Sequence, residues 1–141
     1  MKRFIISVVM VLASVFISLA FANGFLDRDI GSLFDYPPAP RLIYPISDKV
    51  NLSGKENLEF KWNVYGGYIN TAYFDFRLYK GYNTVAANLI LKKRIDYNTY
   101  SIKVSSDLFE DNQVYTWTLR QVLQSAEKSD SSYNSFLIIK G

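Results

Sequence analysis

The chain offers few side chains that can do covalent chemistry. Its 141 residues include no His and no Cys. That removes Ser-His-Asp triads, cysteine nucleophiles and the ordinary zinc or copper sites in one step. Carboxylates are left. Glycoside cleavage needs only a pair of Asp or Glu residues flanking one bond. However, Asp75, Asp107, Glu110 and Asp111 fall on the outward side of an expected strand or in a turn, where solvated carboxylates are normal. Calcium would draw on the same oxygens. Asp27-Arg28-Asp29-Ile30-Gly31 begins like a calcium loop, and Asp107, Glu110 and Asp111 cluster. Neither group supplies the roughly six to eight oxygens that the ion takes, and no late Glu follows Gly31 at loop spacing. No enzymatic activity, metal or other cofactor is expected.

Binding chemistry is better represented. Tyr73, Asp75, Arg77 and Tyr79 alternate with Phe74, Phe76 and Leu78, while Thr116, Thr118 and Arg120 alternate with Tyr115, Trp117 and Leu119. Successive strand residues point to opposite faces, so burying the apolar set turns the polar set outward. If the two strands are neighbours, they present a flat patch of two Tyr, two Arg and one Asp. Tyr and Arg are enriched in interface hot spots, and planar aromatics with polar neighbours suit stacking on sugar rings. Tyr68 and Tyr82, beside Gly66-Gly67 and Gly81, form a second candidate in loops. The candidate binding residues are therefore Tyr73, Asp75, Arg77, Tyr79, Thr118, Arg120, Tyr68 and Tyr82. Cross-strand aromatics that only stabilise a sheet are the competing explanation.

The elements that must position these residues have a period of two. Leu42-Ile43-Tyr44 forms a short edge strand stopped by Pro45. Leu58, Phe60, Trp62 and Val64 alternate with Glu59, Lys61 and Asn63 as in a half-buried strand. Strands also follow at 73–79, Leu89–Ile95, Tyr100–Val104, Tyr115–Arg120 and Phe136–Ile139, with one short helical turn at Val85-Ala86-Ala87. Ser125–Ser132 reads as a mobile hairpin loop. Seven short alternating strands in about 100 residues predict an all-β, seven-stranded antiparallel sandwich. Trp62 and Trp117 fall on opposite sheets, facing inward.

Phe60-Lys61-Trp62, Tyr73 with the alternating Phe74 and Phe76, and Tyr115-Thr116-Trp117-Thr118-Leu119-Arg120 resemble a bacterial fibronectin type III or related immunoglobulin-like domain. The resemblance covers about residues 40–141. It implies a corner in which the hydroxyl of Tyr115 ties to backbone upstream. Leu108 lies seven positions before that Tyr and Phe109 six, with Asp111-Asn112 in place of Pro-Gly. Such sandwiches serve many unrelated roles, so the resemblance names no activity.

The N-terminus has the three parts of an export signal. Lys2 and Arg3 precede an uncharged apolar run from Phe4 to Phe21, and Ala20-Phe21-Ala22 supplies the small residues of a cleavage site. The 19 residues Phe4–Ala22 could just span a bilayer, but Ser7, Ser14 and Ser18 dilute them and no positive stop-transfer cluster follows. Residues 1–22 are expected to leave, 23–40 to form a Pro-rich linker or tail around Pro37-Pro38-Ala39-Pro40, and 41–141 to form the sandwich. No Cys follows the cleavage site to carry a lipid. Without Lys2 and Arg3, 14 basic residues face 13 acidic ones and the net charge falls from +3 to +1. That leaves no broad footprint for nucleic acid. An exported chain of this size without disulfides fits a bacterial source. The expected partner is an envelope or extracellular protein, with carbohydrate as the alternative, in a secreted or periplasmic location; membrane attachment follows only if the signal stays uncut. N-terminal sequencing of the exported protein should begin at Asn23; a sequence beginning at Met1 would mean that the signal is retained.

Overall fold

The computed structural model describes residues 37–46, 49–65 and 70–141. The expected signal at 1–22, the stretch 23–36 and Tyr68 lie outside the described residues. Among the described residues no helix is long and apolar enough to cross a membrane.

The protein is all-β. Among the described residues eight strands follow in order: β1 (Arg41–Tyr44), β2 (Lys49–Asn51), β3 (Asn57–Asn63), β4 (Thr71–Lys80), β5 (Leu89–Asp96), β6 (Ser101–Ser105), β7 (Val114–Leu123) and β8 (Ser132–Ile139). Short 3-10 turns occupy Ala86–Asn88 and Ser106–Leu108. One sheet has the order β1-β3-β6 and the other β2-β8-β7-β4-β5. The expectation of seven antiparallel strands is corrected on both counts. The strand that the alternation pattern omits, β2, lies parallel to β8, with Val50 opposite Ile138. Its three residues, Lys49-Val50-Asn51, are too few to display a period. Its partner lies almost ninety residues further along the chain, so only the folded arrangement reveals the pairing.

Between the sheets lies one core. Leu58, Phe60 and Trp62 from β3 meet Phe74, Phe76 and Leu78 from β4 and Tyr115, Trp117 and Leu119 from β7. Phe60 is the hub. Its ring makes edge-on contacts with Phe76 and Trp117, each at a centroid distance of 5.1 Å, and with Phe136 at 5.9 Å. Edge-to-face pairs at this distance add favourable quadrupole interactions to the burial of apolar area. Trp62 and Trp117 lie on opposite sheets and both are buried. Trp117 also satisfies its ring N–H, donating Nε1 to the Pro45 carbonyl at 2.9 Å. Trp62 Nε1 is buried with no hydrogen-bond partner among the described residues.

The turn before β7 is built on Phe109. That side chain is buried and packs edge-on against Tyr115 at 5.0 Å, whereas Leu108 is exposed. The Tyr115 hydroxyl accepts a hydrogen bond from the Glu110 N–H at 2.8 Å. Asn112 takes a left-handed φ of 55°, a conformation that Asn tolerates better than most residues, and its N–H reaches the Ile138 carbonyl at 2.9 Å.

Two segments expected to be loose are docked. The compact unit begins at Pro37, and both Pro37 and Pro40 are buried. Gln121, fully buried on the inward side of β7, donates Nε2 to the Pro38 carbonyl at 2.6 Å. It accepts from Thr71 Oγ1 through Oε1 at 2.9 Å. Ser132 Oγ donates to the Pro40 carbonyl. The proline run is therefore a strap over one end of the core. The hairpin connection 124–131 is tied back as well: buried Ser129 exchanges hydrogen bonds with Gln121, accepting at Oγ and donating its N–H, each at 3.0 Å.

Replacing Trp62 or Trp117 with Ala should each cost ~3–5 kcal/mol in urea unfolding. Phe separates the two sites. Trp117→Phe orphans the Pro45 carbonyl, whereas Trp62→Phe removes an N–H that is already unpaired, so the former should be the costlier by about 1–3 kcal/mol. Equal midpoints for the two Phe variants would contradict this difference.

Candidate binding site

β4 and β7 are neighbours in the five-stranded sheet, with Asp75 opposite Arg120, Arg77 opposite Thr118 and Tyr79 opposite Thr116. Burial of Phe74, Phe76 and Leu78 on one side, and of Tyr115, Trp117 and Leu119 on the other strand, directs these polar residues to the outer face. On that face the two Arg side chains converge on one carboxylate. Asp75 Oδ2 accepts from Arg77 Nη2 at 2.9 Å and from Arg120 Nη2 and Nε at 3.0 and 3.2 Å. Oδ1 takes one longer bond, from Arg77 Nε at 3.3 Å. The Asp75 side chain is 11% exposed, against 30% for Arg77 and 27% for Arg120.

Burial works against the charge on Asp75. Hydrogen bonds and Coulombic attraction from Arg77 and Arg120 outweigh it and hold the carboxyl below its ordinary value. Arg77 is raised in turn, chiefly by its hydrogen bond to Asp75 against the opposing effect of burial, with a further contribution from Tyr79. The carboxylate stays ionised between two cations, and the cluster carries a formal charge of +1.

These residues floor a concavity of ≈ 260 Å³. Thr118 and Tyr79 complete its base. Tyr82 and Thr84, from the β4–β5 connection, form one side of the rim, and Ser131 and Tyr133 form the other. Tyr82 and Tyr133 are each 73% exposed. The expected flat patch is thus a walled depression. Its lining combines Arg77 and Arg120, which close on Asp75, with Tyr82 and Thr84 from the β4–β5 connection and Ser131 and Tyr133 at the start of β8.

The expected residues are placed unevenly. Asp75, Arg77, Tyr79, Thr118 and Arg120 come together, and Tyr82 joins them from its loop, so part of the second candidate set merges with the first. Asp75 and Tyr79 are buried and offer little surface. A freely solvated Asp75 was expected from strand alternation alone, which does not register the two guanidiniums folding over it. Tyr73 lies outside the concavity, beneath the Arg94 guanidinium at 3.7 Å from its ring centroid. Thr116 is absorbed into the sheet surface, donating Oγ1 to the Gly81 carbonyl and pairing with Ser135 Oγ, both at 2.7 Å. Sequence reasoning missed Thr84, Ser131 and Tyr133. Tyr133 had a signal, since it lies three residues before the closing apolar run, but its alignment with Thr118 depends on β8 starting at Ser132.

The other carboxylates disperse. Glu110 accepts from Lys80 Nζ at 2.7 and 2.8 Å, and Asp111 Oδ1 accepts from the Lys140 N–H at 2.6 Å. Among the described residues no three His, Cys, Asp or Glu side chains gather as a metal site. A carboxylate clamped by two guanidiniums is a poor proton donor. What the concavity supplies is hydrogen-bond donors, hydroxyls and aromatic edges.

No family model matches the chain, and no curated protein does. Among solved structures, one described as "Myokine structure" is similar at 14% identity over 74% of this chain and 97% of that chain, with a TM-score of 0.47. A likeness at that level carries no argument.

The depressed carboxyl of Asp75 links the site to stability. Between the folded value and the higher unfolded one, the unfolded chain binds more protons, so stability rises with pH. This contribution is complete above the unfolded value, near pH 4, and is lost as pH falls through the folded value. Asp75→Asn should therefore lower stability at neutral pH by about 1.5–3 kcal/mol, the range for a hydrogen-bonded charged group. It should also flatten the acid limb of the stability curve. Parallel acid limbs for the variant and the parent would show that Asp75 does not contribute this linkage.

Proposed function

We propose that the chain is an exported, non-enzymatic module with an immunoglobulin or fibronectin type III-like sandwich, and that it contacts another envelope or extracellular protein. The observation that carries this reading is the concavity itself, where two Arg side chains and the exposed Tyr82 and Tyr133 converge on the outer face of the larger sheet. Arg and Tyr anchors beside a desolvated centre are the composition of an interface hot spot. Strand order supports the fold assignment. With β2 set aside, the first, second and fifth of the remaining strands form one sheet, and the other four form its partner. This matches the A-B-E and G-F-C grouping of such sandwiches with one strand added beyond C. The bond between the Tyr115 hydroxyl and the Glu110 N–H supports the same assignment. Export rests on Lys2, Arg3 and the apolar run that follows.

A carbohydrate ligand is the second reading. It is favoured by the two exposed Tyr rims and by the hydroxyls of Thr84, Thr118 and Ser131. Site-specific photo-crosslinking in the source cell distinguishes the readings. A crosslinking side chain at position 82 should capture a defined protein, while the same group at position 61, on the other sheet, should not. A glycan-array signal without a protein adduct at position 82 would move the assignment to carbohydrate. Equal capture at 61 and 82 would remove the face from consideration.

A further inference from the structure

Resting on the protein-interaction reading, we infer that the concavity receives a carboxylate presented by an extended acidic segment of the partner. Donors exceed acceptors at its floor. Each guanidinium offers about five N–H donors; Asp75 takes two from each, and Tyr79 engages Arg77 as well, so Arg120 keeps the larger share of open donors. The Nη1 nitrogens are not used for Asp75. On the acceptor side, Oδ2 already has three donors, and Oδ1 alone retains capacity beyond its single long bond. With a formal excess of one positive charge, the open hydrogen-bonding positions call for an anion. Arg side chains match a planar carboxylate through paired N–H groups. Their partial burial limits screening of the resulting ion pair.

The charge around the concavity indicates a segment with several acidic residues. Lys92 stands opposite Arg77, and Arg94 stands opposite Asp75, on β5. Four cations, Arg120, Arg77, Lys92 and Arg94, therefore cross three neighbouring strands from the concavity to the free edge of the sheet. At about 4.8 Å per strand this track is about 10 Å wide, the reach of about three extended residues. Its outer end is the edge of β5, where Lys92, Lys93 and Arg94 are exposed. A single small anion would use only the floor.

The test uses the full chain and three probes: a labelled peptide of alternating Glu and Ser, its Gln and Ser counterpart, and oligogalacturonate. The Glu peptide should bind, the Gln peptide should not, and binding should weaken as salt rises. Arg120→Gln should weaken Glu-peptide binding roughly tenfold or more, as expected on losing a hydrogen bond to a charged group. Arg77 still holds Asp75 in that variant, and circular dichroism checks that the fold persists. Lys61→Gln, on the other sheet, should leave binding unchanged. Equal binding of the Glu and Gln peptides, no effect of Arg120→Gln, or equal weakening by Lys61→Gln would overturn the inference. Binding of oligogalacturonate alone would overturn the peptide assignment. If Glu-peptide binding fails while position 82 still captures a protein, this inference falls and the interaction module stands.

Discussion

The contact of the Phe60 ring with Trp117 across the two sheets is the constraint on which the rest depends. No disulfide is available to join the layers, so their spacing and alignment rest on apolar and aromatic packing. Phe60 reaches Phe76, Trp117 and Phe136, which lie on three different strands of the opposing sheet. The hydrogen bond from Trp117 to Pro45 then ties the larger sheet to the chain just after β1. Once Trp117 and Phe76 face inward, the pleat leaves no choice for their neighbours. Arg120, Thr118, Asp75 and Arg77 must face outward, in the register that brings Asp75 opposite Arg120.

The outer face shows how pairing changes an exposed position into a partly buried one. A lone carboxylate on a sheet would remain solvated. Here two guanidiniums close over Asp75, and the attraction outweighs the loss of solvation, so the charge persists in a partly dry site. The Arg side chains are themselves only partly covered, and the cluster keeps an uncompensated cation. A preorganised group of this kind gives a binding partner fixed donors and spares it some of the cost of ordering long side chains on association. This is why the concavity, rather than the numerous other surface Tyr residues, carries the proposed function.

A buried polar connection shapes the opposite limit of the core. Gln121 continues the inward series of Tyr115, Trp117 and Leu119, yet it is an amide. It is tolerated because Thr71, Pro38 and Ser129 meet its side chain and backbone groups. An unsatisfied amide in the same position would be costly. The same bonds draw the proline strap and the 124–131 connection onto the sheet, and Ser131 follows that connection to the rim of the concavity. Core and site are therefore joined through one side chain that has no apolar signature in the sequence.

Alternation by itself determined the all-β class, seven of the eight strands among the described residues, the inward Trp62 and Trp117, and the outward placement of Asp75, Arg77, Thr118 and Arg120. It could do so because these are local properties: a period of two needs only a few residues to declare itself, and burying one face dictates the other. Tertiary structure alone decided what depends on residues distant in the chain. The parallel pairing of β2 with β8 and the capture of Pro38 by Gln121 are of this kind. So are the arrival of Tyr82 and Tyr133 at one rim and the closing of Arg77 and Arg120 over Asp75. The last of these turned a flat patch into a charged concavity, because whether a side chain extends into water or folds onto a neighbour depends on the packed surroundings and not on the strand period.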